Sequence, residues 1–145
     1  MTVDGHELLE AFKSIPTGNI ADAMEELALE SGVILGLHPL SPAQKRMAGW
    51  AVTMKQEARK SGSEEGNAVK HAEVIDDVAG AGDIIVIDAE GRTDVATLGG
   101  LLAFRAKVRG IHGFIINGCV RDVNDIVELD LPVHCRGASP MKSMS

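Results

Sequence analysis

The chain has 145 residues, enough for one sizeable core but not for two, and its 45% hydrophobic and 24% charged residues argue against disorder. A formal net charge of -7, with no basic stripe interleaved with aromatics, argues against a nucleic-acid ligand. No apolar run approaches the ~20 residues that cross a bilayer, and the acidic start "MTVDGHELLEAFK" is unlike a leader, so the expectation is a soluble, cytoplasmic protein without a membrane partner.

In chain order, Leu8, Leu9 and Phe12 fall at helical spacing and predict a short helix that ends before "SIPTG". Thr17 or Asn19 then caps a second helix carrying Ile20, Ala23, Met24 and Leu27, which Gly32 should stop. The segment "VILGLHPLSPAQKRMAG" is broken by Pro and Gly and predicts irregular backbone with a short strand. In "GWAVTMKQEA" the alternation of Trp50, Val52 and Met54 predicts a strand. "RKSGSEEG" reads as a loop, and "NAVKHAEVIDDVA" as a helix with Asn67 as candidate N-cap.

The second half is more regular. Ile84 to Ile87 form a β-branched run suited to a buried strand, "RTDVATL" reads as a loop, and a helix should run from about Leu98 to Arg109 before Gly110. "IHGFIING" predicts a strand, "VRDVNDIVEL" a short helix and "LPVHC" a further strand. Strands alternating with helices predict parallel βαβ units, and hence an α/β domain around a mixed sheet.

Two stretches could carry chemistry. In "TLGGLL", glycines at the start of a helix leave the N–H groups of Gly100, Leu101 and Leu102 open to a carboxylate or phosphate; close backbone packing explains the glycines equally well. In "NGCVRDVND", Arg121 offers a donor fork for a carboxylate or enolate oxygen and Asp122 a hard oxygen for a divalent cation, with Asp125 on the same helix face. Alternatively, Asp122 caps the helix and Arg121 pairs with it. Five histidines are scattered without ligand spacing. Cys119 and Cys135 fit neither a disulfide framework nor a zinc cluster. Arg121 could lower the pKa of Cys119, but no histidine is near it in sequence to act as a base. Glu90 and Asp94 are further candidate acids, with solvated loop positions as the default.

Taken together, "IPTGNIADAM", "GDIIVIDAEGRTDVATLGGLLAFRAKVRG" and "GFIINGCVRDVNDIVELDLPVHCRGASPMKS" resemble the RraA-like family, which includes regulators of ribonuclease activity and metal-dependent 4-hydroxy-4-methyl-2-oxoglutarate aldolases. The resemblance covers nearly the whole chain, as a single domain over residues 1–145. The motif is an acid at a helix start, twenty intervening residues, then Arg-Asp; here Arg121 and Asp122 fill the second half and Gly100 stands where the acid would be. Family aldolases continue past the equivalent of "ASPMKS" into strands that supply an acidic residue to a neighbouring subunit, so the chain is expected to lack those strands.

The resemblance implies a swivelling-type β/β/α fold with a central mixed sheet flanked by helices. It also implies a homotrimer or dimer of trimers with the site between subunits. Asp122 would hold Mg²⁺ or Mn²⁺; Gly99, Gly100, Leu101, Leu102, Arg121 and Asn67 would bind a small 2-keto acid, with Arg121 and Asp122 catalytic. The implied reaction is cleavage of a 4-hydroxy-2-oxo acid to pyruvate, decarboxylation of oxaloacetate, or both. The alternative is a non-catalytic regulator that inhibits a ribonuclease by protein–protein contact, to which an acidic surface is suited.

Overall fold

The computed structural model describes residues 4–57 and 70–142. The chain divides into two compact units, Met1–Gly36 and Leu37–Ser145.

The first unit holds helices α1 (Gly5–Ser14) and α2 (Thr17–Glu26). Asp4 caps α1 by accepting from the His6 N–H at 3.3 Å. For α2 the capping expectation fails: Pro16 is the N-cap residue, it makes no side-chain cap bond, and Thr17 is already helical. The helix also stops before Gly32. Ala28 takes a left-handed φ of 51°, and the Leu29 N–H turns back to the Met24 carbonyl at 2.9 Å, closing the end without a glycine.

The second unit is built on a six-stranded sheet: β1 (His38–Pro39), β2 (Ala51–Lys55), β3 (Ile84–Leu98), β4 (Gly113–Val120), β5 (Val133–Cys135) and β6 (Gly137–Ala138). The strand order is β1-β5-β4-β3-β2, with β6 beside β4. All pairings are parallel except β1 with β5, so the sheet is mixed as expected. In β2 it is Val52 and Met54 that turn inward, while Trp50, just before the strand, is exposed. The loop expected at 59–66 and the candidate cap Asn67 lie outside the described residues.

Helix α3 (His71–Glu73) runs into a π-helical turn, Val74–Val78; α4 spans Gly100–Val108 and α5 Val123–Glu128. Register places Ile85, Phe114 and Val133 on one face of the sheet, with Ile87, Ile116 and Cys135 two residues further on. That face forms one core with Val74 and Ile75 of the π turn, Ala103 and Ala106 of α4, and Ile126 of α5. Alanines at the α4 contact let the helix backbone lie close to the sheet. An Arg105–Asp76 ion pair and the Arg109 guanidinium, donating to the Asp76 carbonyl, tie α4 to the π turn.

One expected loop is strand. β3 pairs regularly with β4 up to Asp88↔Asn117, slips at Arg92↔Gly118 and Ala96↔Cys119, and closes again at Leu98↔Val120. Glu90 and Gly91 hold left-handed φ values of 56° and 70° in the first irregularity. The extra residues Thr93 and Asp94 are exposed, which is why "RTDVATL" reads as polar loop although Ala96 and Leu98 return to the core.

Candidate functional site

The site forms where β3 and β4 end side by side. The Arg121 N–H donates to the Leu98 carbonyl at 2.9 Å, extending the β3–β4 ladder by one step and bringing the start of α4 against the start of α5. Open α/β sheets place ligands at such carboxyl ends.

Asp122 sits at this junction with left-handed backbone, φ 54° and ψ 46°, a conformation that Asp and Asn tolerate better than other side-chain-bearing residues. Its carbonyl accepts from the Ile126 N–H at 3.1 Å and so begins α5, but its side chain makes no cap bond to that helix. Instead the carboxylate reaches across: Oδ2 accepts from the Gly100 N–H at 3.0 Å and lies 3.6 Å from Arg121 Nε. The capping alternative is therefore half right, because Asp122 caps α4, 22 residues away, rather than its own helix. Arg121 and Asp122 do pair, and both side chains are about two-fifths exposed.

The two glycines lie against these side chains rather than against a strand. A Cβ on Gly99 would stand 2.8 Å from Arg121 Nε and 3.0 Å from Asp122 Oδ2. A Cβ on Gly100 would stand 3.0 Å from Asp125 Oδ2 and 3.2 Å from Asp125 Cβ. Asp125 thus turns its carboxylate into the space a side chain at position 100 would occupy. The sequence signal was present in the Asp122/Asp125 spacing; that they flank Gly100 was not readable from it.

Of the three N–H groups expected to be open, Gly100's is taken by Asp122. Those of Leu101 and Leu102, in the first turn of α4, have no acceptor within the helix. Gly99, Gly100, Leu101, Leu102, Arg121 and Asp122 are thus brought together, joined by Asp125, whereas Asn67 lies outside the described residues.

Other candidates are placed elsewhere. Asp94 pairs with Arg92, and Glu90 with Lys55 at 3.5 Å, so both carboxylates have partners of their own. Cys119 is buried, and burial, with Asp94 adding to it, pushes its thiol pKa up rather than down, which argues against an activated thiolate. No group of three or more His, Cys, Asp or Glu among the described residues is arranged to hold a metal. The donors that are present, Asp122 with Oδ1 unpartnered among the described residues and the nearby Asp125, are hard oxygens. They fit Mg²⁺ or Mn²⁺, ions that keep much of their shell as water and need only one or two carboxylates.

Fold and site together define an α/β protein with an Arg-Asp pair locked onto a glycine-started helix. The model of the RraA-like family (Aldolase/RraA) matches residues 17–145, and the chain belongs to that family. A protein of Arabidopsis thaliana, provisionally named 4-hydroxy-4-methyl-2-oxoglutarate aldolase 3, is 33% identical over 130 residues, covering 88% of this chain and 72% of its own. One of Halalkalibacterium halodurans, provisionally given the same aldolase name, is 32% identical over 133 residues, 92% of this chain and 58% of its own. Among solved structures, that of Streptomyces coelicolor RraAS2, an unusual member of the RNase ES inhibitor RraA family, superimposes with a TM-score of 0.82 at 25% identity, over 99% of this chain and 70% of that one. The RNA-processing inhibitor RraA of Thermus thermophilus shares the fold, with a TM-score of 0.70 at 24% identity over 90% and 71%. Several curated relatives are much longer than the matched part: the chain spans 47% of a Methanocaldococcus jannaschii protein and 20% of Legionella pneumophila DlpA. No helix among the described residues is long and apolar enough to cross a membrane.

Proposed function

We propose that the protein is a divalent-metal-dependent lyase. It would release pyruvate from 4-hydroxy-2-oxo acids of the 4-hydroxy-4-methyl-2-oxoglutarate type, decarboxylate oxaloacetate, or do both. The observation that carries this reading is the Asp122 carboxylate, held at the mouth of α4 by the Gly100 N–H with Arg121 beside it. The names of the relatives agree with it.

The C1 carboxylate of a 2-oxo acid is bound by the N–H groups of Leu101 and Leu102 and by Arg121, a helix start and a guanidinium fork both favouring an anion. Arg121, fixed against Gly99, orients the 2-oxo group and offers positive charge where the enolate oxygen develops. A Mg²⁺ or Mn²⁺ ion bound at Asp122 supplies further stabilisation of that charge. Asp125 accepts no hydrogen bond from protein among the described residues. It is the carboxylate free to take the 4-hydroxyl proton as the C3–C4 bond breaks and to return a proton to C3. A homotrimer or dimer of trimers with the site between subunits, in the cytoplasm, completes the proposal.

Gly99 gives a direct test of the geometry. Gly99→Ala should push the Arg121 guanidinium aside and weaken binding of oxalate, a planar dicarboxylate resembling the pyruvate enolate, by about tenfold or more, the scale of one charge-assisted hydrogen bond. Unchanged oxalate affinity by calorimetry would remove Arg121 from the anion site.

The function itself is tested by pyruvate release from oxaloacetate and from 4-hydroxy-4-methyl-2-oxoglutarate, with Mg²⁺ or Mn²⁺ and again with EDTA. Chelator-sensitive release above the metal-only blank is the expected result. No release from well-folded protein would favour the second reading, a non-catalytic regulator that inhibits a ribonuclease by contact. One observation supports that alternative: residues 1–36 carry seven carboxylates against a single lysine, an acidic segment fitted to a basic partner.

A further inference from the structure

The segment that follows β1 is fastened to β5 by one side chain whose hydrogen bonds depend on a proton. The Leu40 N–H donates to the Val133 carbonyl at 2.8 Å. Gln44 then takes the place of a strand: the Val133 N–H donates to its Oε1 at 3.2 Å, and its Nε2 faces both ring nitrogens of His134, at 3.1 and 3.4 Å. Val133 is buried and its N–H needs an oxygen, so the Gln44 amide has one orientation. Either tautomer of a neutral imidazole leaves one ring nitrogen bare to accept from Nε2. An imidazolium presents only N–H groups, to an amide that offers only N–H in return.

Register places Ile115 of β4 and Pro39 of β1 beside His134, and neither titrates. The charged groups on the surrounding elements are His38 on β1, Lys45 and Arg46 next to Gln44, Asp130 ahead of β5 and Arg136 after it. Lys45 pairs with Asp130, and Arg136 donates to Asn117. Burial holds the His134 imidazole below its ordinary pKa. The ring is therefore neutral at neutral pH; the fastening is whole above ~6.5 and is lost as the pH falls through the lowered value. Beneath the segment, a cavity of about 90 Å³ lies between Leu40, Ala43 and Gln44 and, at the end of α5, Val127 and Leu131. Apolar packing there is incomplete, so the polar fastening carries more of the hold.

We propose that residues 40–45 form a pH-sensitive latch: protonation of His134 expels the Gln44 amide and releases the segment from β5, opening the cavity at the far end of the helix that carries Asp125.

Amide hydrogen exchange of the full chain reads the latch at the Leu40 and Val133 N–H groups, once rates are corrected for the intrinsic effect of pH on exchange. Between about pH 7.5 and about pH 5, protection of both should fall about tenfold in the wild type, the scale of one hydrogen bond lost to a conflict of donors. Gln44→Glu should reverse the trend. Its carboxylate still accepts from Val133 and gains the imidazolium as a donor, so protection rises on acidification until the carboxylate is itself protonated near ~4.3. His134→Asn, neutral throughout, should show no change with pH. Constant protection in the wild type would overturn the proposal. An equal loss in Gln44→Glu or in His134→Asn would overturn it too, and would move the effect to another group. His71 is then the candidate, because burial also lowers its pKa and its Nε2 is buried without a partner among the described residues.

Discussion

Asp122→Asn is expected to cut chelator-sensitive pyruvate release by about a hundredfold or more while leaving the fold in place. The choice of asparagine follows from the backbone. At φ 54° a β-carbon crowds the following carbonyl, at a cost of about 1–2 kcal/mol for most residues, and Asn bears this nearly as well as Asp. The amide oxygen of Asn can still accept from the Gly100 N–H, so α4 remains capped; what is lost is the negative charge that would hold a cation and balance Arg121. Asp122→Ala removes the cap as well and should lower the melting temperature besides, with caps worth about 1 kcal/mol. Parallel measurement of turnover and melting temperature separates the two effects. Wild-type turnover in a folded Asn variant would show that the Asp122 carboxylate does no chemistry.

The second large effect is on stability. Gly113 opens β4 and lies between Pro132 and Met47: a Cβ there would stand 2.6 Å from the Pro132 carbonyl oxygen and closer still to the Met47 sulfur. A methionine can swing away, but a backbone carbonyl adjoining β5 cannot without shifting the strand pairing. Gly113→Ala should therefore destabilise the protein by about 3 kcal/mol, the upper range for overpacking. Gly18 is the control, because nothing lies within 4 Å of its added carbon and it sits in the first turn of α2. Gly18→Ala should be neutral or stabilising by up to about 1 kcal/mol. Equal denaturation midpoints for the two variants would contradict this reading of the β4 entrance.

The two central strands and the helix between them were legible because their signals are local and mutually consistent: the Ile84–Ile87 run, "GFII", and glycines at both ends of α4. What was hidden depends on contacts between distant residues. The composition of "RTDVATL" is that of a loop, and only pairing with β4 makes it strand, since its polar residues are carried on bulges. The end of α2 was misplaced because an alanine took the left-handed position usually given to glycine. Within the site, the Arg121–Asp122 pair could be singled out from residue type alone. That Asp122 caps α4 rather than α5, and that Asp125 turns toward Gly100, follows from the meeting of β3 and β4 at Leu98 and Val120, which no local window contains.

The slipped register of β3 bears on how this family can vary. Asp88 and Arg92 are four positions apart, as are Arg92 and Ala96, yet across each interval β4 advances by a single step. The excess chain is spooled outward and the ladder closes again at Leu98 and Val120, so the length of the excursion is decoupled from the position of the helix starts. Evolution or a protein engineer can rewrite the exposed residues Thr93 and Asp94 and alter the periphery of the molecule while the junction that holds Arg121 and Asp122 keeps its alignment.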